Sequence, residues 1–266
     1  MKPRFTWSWI AQCVVVVVCA YTLKLYYSTA SADQLRWILA PTTFCVELAG
    51  GGSFEFESHA GYISSDRRFL IANSCAGVNF LITAFLMLSM SKLLRDASKT
   101  ISWVFIPTTA AIAYLVTLVA NTTRIAVALW LRPMSSEGGW MNGDQLHRFE
   151  GIFIYFGFLL LLFVVSENLN AKNPSSLLRQ SFFPLLVYYA TMLAVPLANG
   201  AYNRGADFWE HSLFVLLIPL MLILPLVAFR FYCRWQSLRS AARGLWRTER
   251  NVDVSRPPRP MATADL

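Results

Sequence analysis

The chain has 266 residues, of which 56% are apolar and only 14% charged, with a net charge of +8 and a mean hydropathy of +0.46. Ordinary soluble domains carry about a quarter charged residues, so this balance excludes a water-soluble globular body and makes the chain a membrane protein. Five cysteines occur without paired spacing, which excludes a disulfide framework, a zinc pattern and a thioredoxin-like pair.

Six apolar runs cover residues 7–23, 69–88, 103–122, 149–165, 182–197 and 213–229. Each approaches the roughly 20 residues that a helix rising about 1.5 Å per residue needs to cross the hydrocarbon layer. They are apolar all round, whereas barrel strands alternate, so strands are not expected. The predicted fold class is all-α: a polytopic transmembrane helical bundle of about six spans.

The first run follows Lys2 and Arg4 and precedes Ala30-Ser31-Ala32, a pattern that a cleaved signal peptide would share. Its length favours a retained helix, with Lys24 snorkelling to the headgroups. Residues 35–48 are apolar but short and interrupted by Pro41, which suits an interfacial or re-entrant helix, and Gly50-Gly51-Gly52 then gives a loop. The third run continues past Arg124 to Leu131, too long for one crossing, so its last turns tilt or emerge with Arg124 at the emergence.

Basic residues mark cytoplasmic connections. Lys2, Arg4, Lys92, Arg95, Lys99, Lys172, Arg179 and the arginine-rich tail fall on one side, which makes both termini cytoplasmic. Residues 28–68, 124–148 and 201–212 are then external, although the second of these segments holds three arginines of its own. Beyond the last run, Arg230, Arg234, Arg239, Arg243, Arg247 and Arg250 recur every three to five residues, broadly along one side of a helix. An anionic leaflet is the expected partner of such a juxtamembrane stripe, in preference to DNA or RNA. The proline-rich end from Val252 is expected to be disordered. The chain therefore divides into a membrane domain, 1–229, and a basic cytoplasmic tail, 230–266.

Three polar residues fall at the external side on three different runs. Cys75 lies about two turns inside the second run, in Asn73-Ser74-Cys75-Ala76-Gly77-Val78-Asn79-Phe80, where small neighbours admit another backbone. Taken alone it also fits a buried small hydrophobe. Arg124 follows Asn121-Thr122-Thr123, and a cation there is costly unless paired or solvated, though an interfacial anchor would look the same. His147 comes just before the fourth run, in Gln145-Leu146-His147-Arg148-Phe149-Glu150-Gly151, where a plain solvated histidine is the simpler reading. Their conjunction is what points to chemistry. A thiol becomes a nucleophile when a base or cation favours its thiolate. His147 could serve as that base and later protonate a leaving amine, while Arg124 could stabilise an oxyanion or hold the substrate carbonyls.

In Cys75-Ala76-Gly77, Asn121-Thr122-Thr123-Arg124 and a later His147, in that order, the chain resembles the exosortase and archaeosortase membrane transpeptidases. Gly61-Tyr62 followed by Cys75-Ala76-Gly77-Val78-Asn79-Phe80 is most similar to the K branch of the exosortases. The resemblance covers specific positions between about Gly50 and Gly151, so the core of the domain would be 50–166. It implies a cysteine enzyme without a cofactor in a bacterial inner membrane, its site facing the periplasm. Such an enzyme recognises exported proteins by a C-terminal sorting signal of Pro-Glu-Pro type followed by a hydrophobic helix and basic residues. It cuts before that helix through a thioester and passes the protein to a surface anchor. Here the segment 28–68 and the lack of an added periplasmic domain depart from the longer exosortases.

Two other readings stay open. A transporter or scaffold would use Pro107, Pro184, Pro196, Pro219 and Pro225 to kink spans around a midplane site, but few ionisable residues occur at mid-span. A metalloenzyme could draw on His59, His147 and His211, with Asp207, Glu210 and Glu150 nearby, yet no His-Glu-x-x-His helix is present. His59 and His211 also compete with His147 for the role of base. The usual glycine-flanked serine of an intramembrane serine protease is missing.

Overall fold

The structure is a computed structural model that describes residues 6–97, 101–131, 143–170, 177–200, 203 and 205–254. Lys2, Arg4, Lys99, Arg132, Lys172 and the end beyond 254 lie outside the described residues, so the charge count that rests on them and the expected disorder of that end do too. The chain is mostly helical, with five helices long and apolar enough to cross a membrane: Trp7–Thr29, Asn73–Arg95, Phe105–Leu131, Gln145–Leu169 and Phe208–Phe229.

Helix α1 runs Trp7–Thr29, opened by the Thr6 hydroxyl, which accepts from the Trp9 amide at 3.2 Å. Tryptophans stand exposed where helices begin or end, at Trp7, Trp103, Trp130 and Trp209, as amphipathic rings do at headgroup level. Helix α2, Arg36–Leu48, carries straight through Pro41 and is not interrupted by it. Proline has no N–H to give the carbonyl four residues back, that of Trp37, and the Tyr114 hydroxyl donates to that carbonyl instead, at 2.8 Å.

A small antiparallel sheet follows, which corrects the expectation that strands are absent. Its strands are β1 (Phe54–Glu57), β2 (Gly61–Ser64) and β3 (Leu70–Ile71), in the order β1-β2-β3. Phe54 pairs with Ser64, Glu57 with Gly61, and Tyr62 with Ile71. Only Gly fits at 61, because its φ is +126° and a Cβ there would run into the Ile71 carbonyl. The sheet is pinned to its surroundings by side chains. Glu47 accepts the Phe54 amide at 2.8 Å, Arg36 lies 4.3 Å from the Phe56 ring centre, and Asp33 receives the Ser58 hydroxyl and the His59 amide, both at 3.0 Å.

The sheet also shortens the second apolar run from its front. Residues 69–71 are strand edge, a 3₁₀ turn follows at Asn73–Cys75, and α3 starts at Val78 and ends at Arg95. This helix is the centre of the bundle: 72% of its apolar stretch is buried, against 17% for α1. It packs on α1, on α4 (Phe105–Leu131), on α5 (Gly143–Asn170) and on α6 (Leu177–Tyr189). The fifth apolar run is a broken helix. After α6 comes a π-helical turn at Ala190–Ala194 and then α7, Val195–Ala198. Its apolar part, Phe182–Ala198, is shorter than the other five.

Several polar groups on the helices are satisfied between neighbours, as a hydrocarbon environment favours. Gln12 donates to the Ile101 carbonyl at 2.8 Å, Trp9 to that of Leu93 at 2.9 Å, and Ser89 and Thr109 share a bond of 2.9 Å. At the α3 C-terminus Arg95 and the buried Glu167 pair at 3.2 Å, with the Ser91 hydroxyl donating to the same carboxylate oxygen at 3.1 Å.

Helix α8, Ala206–Val254, continues without interruption into the arginine-rich stretch. The chain separates into two compact units, 1–222 and 223–266. In the second, side chains one turn apart meet on the helix surface: Gln236 donates to the Tyr232 hydroxyl at 2.7 Å, and the Arg239 guanidinium stacks 3.5 Å from the Trp235 ring centre.

Candidate functional site

Cys75 does not lie two turns inside a helix. It ends the 3₁₀ turn that links β3 to α3, three residues before the first helical residue. The run looked helical from 69 because Phe69, Leu70 and Ile71 are apolar, yet they serve the sheet. The turn is held by its own backbone and by the end of α1. The Cys75 amide donates to the Ala72 carbonyl at 2.8 Å, the Asn73 side chain donates to the Ala30 carbonyl at 3.0 Å, and the Tyr27 hydroxyl donates to the Asn73 carbonyl at 3.2 Å. Asn121, fully buried on α4, donates its amide to the Cys75 carbonyl.

Gly77 makes the entry to α3 possible. Its φ of +69° is left-handed, and a Cβ there would sit 3.2 Å from Asn121 Cγ and 3.3 Å from Thr117 Cγ2. Consequently α3 and α4 approach closely where the thiol turn meets the helix. The amides of Val78, Asn79 and Phe80 are the first of α3, where a helix presents unpaired N–H groups and the positive end of its dipole.

Arg124 stands inside α4, one turn beyond Asn121, and reaches across to α5. Its Nη2 lies 2.7 Å from His147 Nε2, its Nη1 lies 3.4 Å from the Tyr155 hydroxyl, and its guanidinium carbon is 5.4 Å from the Tyr155 ring centre. Tyr155 in turn donates to Asn121 Oδ1 at 2.7 Å and stacks on Phe80 of α3, ring centres 5.1 Å apart. One continuous set of bonds therefore runs from the Cys75 carbonyl through Asn121 and Tyr155 to Arg124 and His147.

His147 lies within α5, not ahead of it, in the second turn after Gly143. Its Nδ1 is 3.5 Å from Glu150 Oε2. Gly151, one residue further, leaves room for the guanidinium: a Cβ there would come within 2.9 Å of Arg124 Nε.

These residues surround a cavity of about 230 Å³ whose wall includes Ser74, Gly77, Arg124, His147, Tyr155, Met192 and His211. Cys75 is 8% exposed, its sulfur lies 4.0 Å from the Ser74 hydroxyl, and its chain neighbours Ser74 and Gly77 line the wall. Of the other histidines, His211 is brought to the cavity. His59 is carried away on the β1–β2 hairpin, where it pairs with Asp33 at 3.1 Å. That exposed pairing holds the Asp33 carboxyl below the usual carboxylate range: partial loss of water raises it, and the His59 amide, the Ser58 hydroxyl and the His59 ring more than offset this. Asp207 contributes no described side chain, and among the described residues no three His, Cys, Asp or Glu side chains are grouped to hold a metal ion.

The sequence reading passed over Tyr155 and Tyr27, which have no motif to mark them. The one available signal for Tyr155 was its position eight residues after His147, on the same face of a helix.

The described residues form a bundle of apolar helices with a buried cysteine in the turn before the central helix and, across α4 and α5, a guanidinium bonded to an imidazole and a phenol. No protein-family model, curated protein or solved structure matches the chain.

Proposed function

We propose that the chain is a membrane-embedded cysteine peptidase-transpeptidase of exosortase type, with Cys75 as nucleophile. It would span the membrane six times, counting the short helix Phe182–Ala198, with both termini cytoplasmic and the cavity facing the periplasm. The observation that carries the reading is the Arg124 guanidinium, bonded to His147 at 2.7 Å and to Tyr155 at 3.4 Å, and joined through Tyr155 and Asn121 to the Cys75 carbonyl.

In this reading a peptide carbonyl enters the cavity and the Cys75 sulfur attacks its carbon. The thiol proton passes to an imidazole, with His147 the first choice and His211 on the same wall. The oxyanion is met by Arg124 and the first amides of α3. Collapse breaks the C–N bond, the proton returns to the leaving amine, and a thioester remains on Cys75. Water then gives a peptidase product, whereas an acceptor amine gives transpeptidation. The substrates would be exported proteins with a Pro-Glu-Pro type tail and a hydrophobic helix, and the basic end of α8 would rest on anionic lipid.

The test is co-expression with a protein carrying such a tail, comparing the parent with Cys75→Ala. Loss of processing in the variant is expected. Unchanged processing removes Cys75 as the nucleophile.

A further inference from the structure

The bonds around Arg124 leave one carboxylate unexplained. Glu150 is buried, 5% exposed, and its Oε1 has no hydrogen-bond partner among the described residues. An ionised carboxylate in such surroundings is costly unless something nearby uses its charge. Its Oε2 faces His147 Nδ1 at 3.5 Å, the i,i+3 spacing placing both on one face of α5.

Hydrogen-bond chemistry fixes what this contact does. A guanidinium keeps its protons and only donates, so His147 Nε2, at 2.7 Å from Arg124 Nη2, must offer its lone pair. The proton of the neutral ring then sits on Nδ1, the nitrogen that faces Glu150. A carboxylate on the far nitrogen is the usual means of fixing a tautomer and a ring orientation. At rest the Nε2 lone pair is engaged by the arginine, so His147 serves as the base only once a substrate has drawn Arg124 off it.

We infer that Glu150 is a positioning residue of the proposed thiol centre: it holds His147 in the Nδ1–H tautomer, which seats Arg124 on Nε2 and keeps the guanidinium in the chain of bonds that ends on the Cys75 carbonyl. This rests on the cysteine reading only in taking Cys75 as the group served. The imidazole is contacted by Arg124 from α4 and Glu150 from α5, with Arg148 and His211 on the same cavity wall. Glu210 is occupied elsewhere, accepting from Gln145 at 3.0 Å and lying 3.8 Å from Arg148, which leaves Glu150 as the carboxylate for His147.

The full-length chain in detergent, with Cys13, Cys19, Cys45 and Cys233 changed to serine, gives a direct readout that needs no substrate. Iodoacetamide alkylates Cys75 at a rate that follows its thiolate and access. Glu150→Gln is expected to slow alkylation about tenfold near neutral pH and to move the acid limb of the pH–rate profile, the scale of loss typical of an outer partner. Glu150→Asp is expected to fall between parent and Glu150→Gln. His147→Gln is expected to show the same loss, and the double variant His147→Gln/Glu150→Gln no further loss, because both act through one chain.

A Glu150→Gln profile that superimposes on the parent's, or losses that multiply in the double variant, would overturn the assignment and leave Glu150 a packing residue. Should Glu150→Gln not fold, Glu150→Asp decides, a parent-like profile overturning the assignment and a slower one upholding it. The functional reading fails separately: processing that survives Cys75→Ala removes the cysteine chemistry and leaves the labelling result standing.

Discussion

Arg124 Nη2 lies 2.7 Å from His147 Nε2, so the two residues expected to serve the thiol are first of all bonded to each other. The imidazole acts on the guanidinium before either acts on a substrate. A lysine could carry the charge but could not bond His147 and Tyr155 at once from a planar fork. Arg124→Lys is therefore expected to lower processing by ~100-fold or more, the scale of losing an oriented oxyanion donor, with little change in expression or thermal stability. Processing kinetics with a tail-bearing substrate checks this.

Gly151 offers a way to move Arg124 without changing it. A methyl at 151 would press on Nε at 2.9 Å, and Nε belongs to a long side chain that can swing aside. Gly151→Ala is expected to fold normally and to lose processing, whereas Gly157→Ala, which would meet nothing within 4 Å, is expected to change neither. Parallel melting curves and processing assays separate the two.

Gly77 is a different case, because backbone geometry and neighbours both resist a side chain. Gly77→Ala combines a left-handed φ of +69° with approaches of 3.2 and 3.3 Å to Asn121 and Thr117. The expected cost is ~1–3 kcal/mol, read as a lowered melting temperature in detergent. Alkylation of Cys75 should rise as the turn loosens.

At the opposite end of α3, Arg95 and Glu167 form a pair in which Glu167 is almost wholly shielded from solvent. Arg95→Met leaves that carboxylate unpaired and is expected to cost ~3–5 kcal/mol, while adding Glu167→Met should restore most of it, since a well-packed apolar pair replaces a buried ion pair at little loss. Denaturation of the single and double variants measures the difference.

Asp33 predicts a pH response outside the membrane. Its carboxyl titrates lower in the folded chain than in the unfolded one, so its contribution is present above the unfolded value and fades as pH falls through the folded one. Amide exchange over residues 53–65 should quicken on acidification in the parent and show no such step in Asp33→Asn.

The membrane class was legible in the sequence because burial in lipid is written in long uninterrupted apolar runs, and five of the six are helices of spanning length. The sheet was not, since strands of four, four and two residues are too short to show a period. Its last strand borrows Leu70 and Ile71 from what looked like a helix, which is why Cys75 was placed too deep. Pro41 misled in the opposite direction: the carbonyl it leaves free, that of Trp37, is taken up by Tyr114, seventy-seven residues further along the chain, a contact no local reading can see. Cys75, Arg124 and His147 were each found by asking which polar residues fall at helix ends. Their order of contact was not, because it depends on Tyr155, Glu150 and Gly151, which stand out only once α4 and α5 are side by side.

The covering of Cys75 is supplied by chain that is synthesised after it. Asn121, Arg124, Tyr155 and Met192 all follow the thiol in sequence, so while α3 is entering the bilayer its cysteine has neither its cation nor its roof. The side-chain bonds that fix the Cys75 turn are thus complete only when α4 and α5 dock, and a nascent chain halted before them holds that turn by α1 alone.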